Sequence, residues 1–69
     1  DNLELINQSN AFKNSLDQFQ SAANEISLYL IYKDVQYMRR GLQMLRDAQK
    51  SMQNTLMEIH NLAQQAVNG

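Results

Sequence analysis

The chain has 69 residues, no cysteine, no proline and a formal net charge of −1. That length allows one small helical interaction module, or a fragment of a larger helical protein, whose core alone is marginal without a partner. The absence of cysteine excludes disulfides and thiolate zinc sites as staples, no apolar run of about 18 residues exists to span a membrane, and the near-neutral charge argues against a dedicated nucleic-acid binder.

The first element is a predicted helix over residues 3–31. Apolar side chains recur at steps of three and four as Leu5, Phe12, Leu16, Phe19, Ala23, Ile26 and Leu30, with Ser9 the one polar residue in the series. That spacing stacks side chains on one helix face. No glycine or proline interrupts the segment. Asp1 or Asn2 is placed to cap its start, and Glu4 suits the positive end of the helix dipole.

The central run Leu28-Tyr29-Leu30-Ile31-Tyr32 is apolar on every side. Its aromatic and β-branched content suits a strand locally, but a lone short strand has nothing to pair with here. Beyond it the apolar series restarts one residue out of step, as Ile31, Val35, Met38, Leu42, Leu45, Met52, Leu56, Ile59, Ala63 and Ala66. One residue is about 100° on a helix, so the stripe swings to a new face, and two helices are expected rather than one.

Asp34 is the best available N-cap for a second helix over 35–67. Arg39-Arg40-Gly41 is a competing boundary, yet Met38, Leu42 and Leu45 keep one register across Gly41, and a packed stripe absorbs the roughly 1 kcal/mol cost of one helical glycine. Folding the chain back about residue 34 pairs Leu30 with Met38, Ile26 with Leu42, Leu16 with Met52 and Phe12 with Leu56. The same register brings Asp17 near Lys50 and Glu25 near Arg40. The expected fold is therefore all-α, an antiparallel two-helix hairpin that associates into a helical bundle or coiled coil. The rival architecture is one long straight helix in a multimeric coiled coil. Ala48, Leu62 and Val67 widen the second stripe, with Met44 and Met57 at its sides, beyond what one neighbouring helix covers.

Charge is unevenly spread. Residues 1–32 balance to −3 and residues 33–50 to +3, which suits pairing within the fold or between subunits. Nine Gln and eight Asn outnumber the thirteen charged residues. That surface departs from the Glu- and Lys-flanked coiled coils of the cytosol and fits an exported or assembled bacterial protein better.

Nothing in the sequence points to catalysis, and no cofactor or metal is expected. His60 is the one histidine, and Glu58, two residues away, stands on another face. The serines lack a triad partner, and Gly41 alone makes no phosphate-binding loop. Tyr29, Tyr32 and Tyr37 and the four methionines are read as packing or interface side chains. Leu28, Tyr29 and Tyr32, which neither stripe accommodates, together with Leu42, Leu45, Met52, Leu56 and Ile59, form the expected interface. The partner is a protein, either further copies of the chain or a different helical protein, and no nucleic acid is expected. Two non-enzymatic roles are open: a self-assembling structural subunit, or an adaptor, chaperone or inhibitor completed by another protein.

Arg40-Gly41-Leu42-Gln43 followed by Arg46-Asp47-Ala48-Gln49 resembles the Arg-Gly-Leu…Arg-Asn-Ala-Gln run in the N-terminal helices of bacterial flagellins. Glu58-Ile59-His60-Asn61 and the stretch Leu62 to Gly69 are similar to the later flagellin segment that ends in a helix and a Gly-bearing turn. The spacing between the runs is shorter by roughly two heptads, and Ile59, His60 and Asn61 stand where the family has arginines. The resemblance implies a coiled-coil layer in an exported filament or hook-associated assembly, and hence a bacterial secretion setting.

Overall fold

The computed structural model describes residues 2–68. The proposed cap at Asp1 and the Gly-bearing turn at Gly69 lie outside the described residues. Two helices account for the fold, α1 at Asn2–Tyr32 and α2 at Val35–Asn68. They match the expected spans to within a residue, and Gly41 is helical as expected. The helices lie antiparallel in a rod of 53 × 14 × 12 Å; 34 residues at about 1.5 Å each account for its length. The unbroken-helix architecture is not the one this chain adopts.

The reversal takes two residues and is built from backbone chemistry. Lys33 sits at φ 59°, and its N–H donates to the Tyr29 carbonyl at 2.7 Å, ending α1 with the left-handed residue that helix C-termini favour. Asp34 then begins α2 as its N-cap: Oδ1 accepts the Gln36 N–H at 3.0 Å, and the Asp34 carbonyl accepts the Tyr37 N–H at 3.1 Å. The cap satisfies donors that the first helical turn leaves unpaired.

Small side chains fill the seam between the helices. Ser15 and Ala22 of α1 and Gly41, Ala48 and Thr55 of α2 are the buried residues, Ser15 and Ala48 with 0% of their surface exposed. Each set repeats every seven residues, so each forms one continuous strip. The backbones approach closely where Gly41 crosses α1. A methyl group there would lie 2.8 Å from Ile26 Cγ1 and 3.3 Å from the Ala22 carbonyl oxygen.

The hydroxyls on the seam are all engaged. Ser15 donates to the Ala11 carbonyl at 3.2 Å and its Oγ lies 3.1 Å from that of Ser51. Thr55 bonds back to the carbonyls of Ser51 and Met52 at 2.9 and 3.0 Å. Back-bonding of this kind lets Ser and Thr sit inside a helix contact without an unsatisfied donor.

This packing corrects the expected inward series. Leu16, Ala23 and Leu30 of α1, and Leu42, Leu56 and Ala63 of α2, are exposed. In each case the residue before it, Ser15, Ala22, Tyr29, Gly41, Thr55 or Leu62, is buried or half-buried instead. The physical reason is distance. Small residues let two helix backbones close together, and the larger leucines then straddle the contact. Leu30 and Ile31, assigned to the two stripes, stand open at the turn, whereas Leu28 and Tyr29, expected to find no place in the hairpin, are half-buried in it.

Candidate functional site

On a helix, the residue after a seam position points about 100° to one side. In an antiparallel pair that step turns both helices toward the same face. Leu16, Ala23 and Leu30 of α1 thus join Val35, Leu42 and Leu56 of α2 on one broad surface. The four leucines are 41–59% exposed. Between the helices this surface holds an open groove lined by Phe19, Gln49, Met52 and Leu56, with Arg46, Lys50 and Gln53 along its wall. A second apolar hollow continues from Leu56 through Met57 and Ile59 to Ala63, beside His60 and Asn61.

The opposite face is of different character. Asp17, Gln18, Ser21, Met44 and Asp47 line its groove. Gln43 Nε2 donates to Asp47 Oδ1 at 3.1 Å. The two faces are therefore oppositely charged where the helices meet: Arg46 and Lys50 on the apolar side, Asp17 and Asp47 on the polar side. This separates Asp17 from Lys50, which the expected register had paired. The other expected pair is present. Arg40 Nε lies 3.6 Å from Glu25 Oε2, and the Glu25 side chain is largely covered. That carboxylate oxygen accepts no hydrogen bond, so the pair is held by charge alone.

Arg40 belongs to a longer arrangement at the turn. Its guanidinium lies 5.0 Å from the Tyr37 ring centroid, and the Tyr37 and Tyr32 rings stack at 5.7 Å and 29°. Cation–π and ring contacts of this kind contribute about 0.5–1.5 kcal/mol each. Together they tie the last turn of α1 to the first turns of α2.

The eight expected interface residues divide by location. Leu42 and Leu56 are exposed on the apolar face, and Leu45, Met52 and Ile59 are half-buried, Met52 and Ile59 lining its hollows. Leu28 and Tyr29 are half-buried near the turn, and Tyr32 is exposed but stacked on Tyr37. The structure thus does not gather them into one patch. Sequence reasoning assigned Leu16 and Leu30 to the interior and placed Lys50 beside Asp17 rather than on this face. The signal that finds the exposed leucines is the seven-residue repeat of small residues at 15 and 22 and at 41, 48 and 55, since Leu16, Leu42 and Leu56 each follow one of these. Leu30 follows Tyr29, the next position in the repeat.

Among the described residues no cluster of three or more His, Asp or Glu is arranged to hold a metal, and neither helix is long and apolar enough to cross a membrane. Compared with known proteins, the chain matches no family model, no curated sequence and no solved structure at a significant level.

Proposed function

We propose that this chain is a non-enzymatic helical protein–protein interaction module, which binds helices of another polypeptide through the face carrying Leu16, Leu30, Leu42 and Leu56. One observation carries this reading: four leucines, Leu16, Leu30, Leu42 and Leu56, stand 41–59% exposed on an outward face while small side chains close the hairpin. A contiguous exposed apolar surface marks an interaction site more often than an inert one. A hairpin with an apolar groove on one side offers the start of a three- or four-helix bundle.

Self-assembly into an exported bacterial filament or secretion apparatus is a second reading. It is supported by the flagellin-like run Arg40-Gly41-Leu42-Gln43, whose Leu42 stands on the apolar face.

The test is the double replacement Leu42→Gln with Leu56→Gln. Both side chains are half in water already, so the hairpin keeps its seam. Sedimentation of the 69-residue chain, alone and with a Leu-heptad amphipathic peptide bearing Gln flanks, should show association that the replacement abolishes at unchanged helicity. Association that persists undiminished in the variant overturns the assignment of the face.

A further inference from the structure

We propose that the groove between α1 and α2 is the docking site of an acidic amphipathic helix from a different protein, which turns the hairpin into a three-helix bundle. The inference rests on the reading of the chain as a helix-binding module and names the chemistry of its partner.

Three observations converge on that occupant. The groove is lined by the apolar side chains Phe19 of α1 and Met52 and Leu56 of α2. Exposed leucines repeat on both helices at helical spacing, fourteen residues apart at Leu16 and Leu30 and again at Leu42 and Leu56. That is the surface an amphipathic helix reads through anchors on one of its faces. The wall residues Arg46 and Lys50 are the groove's charged groups, and no carboxylate accompanies them. A helix lying there would bring its own flanking positions beside these cations, where Glu or Asp gains and Lys or Arg is repelled.

A second copy of the chain meets this requirement poorly in either orientation. Packed face to face about a twofold axis, two copies bring Arg46 and Lys50 together from both sides with no acid from either groove. Packed face to back, the second copy supplies Asp17 and Asp47, but Met44 is the single large apolar side chain lining that groove. Neither arrangement offers both the apolar anchors and the acidic flanks.

The experiment uses the full chain and two designed peptides of three heptads, identical in their Leu anchors, one flanked by Glu and the other by Lys. Affinities are measured by fluorescence anisotropy at low and high salt, and the oligomeric state of the chain by sedimentation. The expected result is a Glu-flanked peptide bound at least about tenfold more tightly, with a gap that narrows as salt screens the wall charges. Arg46→Glu with Lys50→Glu should reverse the preference, and Leu42→Gln with Leu56→Gln should abolish binding of both peptides while helicity holds. Equal affinity for the two peptides, or a preference for the Lys-flanked one, overturns the proposal. A stable dimer that neither peptide displaces and that Arg46→Glu with Lys50→Glu leaves intact also overturns it. The module reading then stands with a second copy as occupant. Absence of any association removes both.

Discussion

Lys33 holds a backbone conformation that glycine adopts more cheaply. At φ 59° its Cβ crowds the following carbonyl, and the helix end needs only the N–H that reaches the Tyr29 carbonyl. Lys33→Gly should therefore raise unfolding stability by about 0.5–1 kcal/mol, read as a higher urea midpoint at unchanged slope. Gly41 is the converse case. Alanine there gains helix propensity of about 1 kcal/mol, but its methyl meets Ile26 Cγ1 at 2.8 Å and presses on the Ala22 carbonyl. Overpacking of that kind costs about 1–3 kcal/mol, so Gly41→Ala should destabilise the hairpin despite improving the isolated helix. A urea midpoint that rises in Gly41→Ala would show that the helices do not touch there.

At the scale of the element, each helix has one face spent on its neighbour and one left over. The distinction predicts opposite responses to polar and bulky substitution. Ala48→Leu forces a large side chain into a position with no exposed surface and should cost about 1–3 kcal/mol of hairpin stability. Leu42→Gln, on the outward face, should stay within about 0.5 kcal/mol in the unassociated chain. Thermal melts followed by circular dichroism at low concentration separate the two. If Leu42→Gln is the more damaging, the larger residues are core after all.

The helices themselves were legible because their boundaries are written in local chemistry. Nothing breaks residues 3–31, the stripe steps by one residue after Leu30, and Asp34 caps the second helix. The Glu25–Arg40 pair was legible for the same reason, lying near a turn that was correctly placed. The seam was not. Hydrophobic periodicity weighs large side chains, and Leu16, Leu42 and Leu56 lie one position after the small residues. A shift of one residue leaves the spacing intact while turning the face by about 100°. Ser15, Ala22, Gly41, Ala48 and Thr55 carry little apolar weight individually. Their significance lies in permitting backbone approach, which a count of apolar residues does not register.

The whole molecule is a two-sided rod, apolar and basic at one groove and polar and acidic at the other. A two-helix pair has little buried volume, and its stability is expected to rise when the open groove is filled. Ligand-linked stabilisation sets the scale: a partner present at about 100 times its dissociation constant adds about 2.7 kcal/mol. The melting temperature should climb with the concentration of any peptide that binds the groove, and should not move for a peptide that fails to bind.

Closure of the hairpin by small residues, with the leucines left outside, is tested most directly by cysteine pairing. Ser15 and Ser51 present their hydroxyl oxygens 3.1 Å apart across the seam, so Ser15→Cys with Ser51→Cys should oxidise rapidly to an intramolecular disulfide. Leu16→Cys with Met52→Cys, the pair that large-residue packing would bring together, should oxidise far more slowly. Peptide mapping by mass spectrometry of the two oxidised variants at low concentration reads the answer. Efficient closure of the 15–51 pair within single chains is the result the structure predicts. Preferential closure of the 16–52 pair, or disulfides found only between chains, would contradict it.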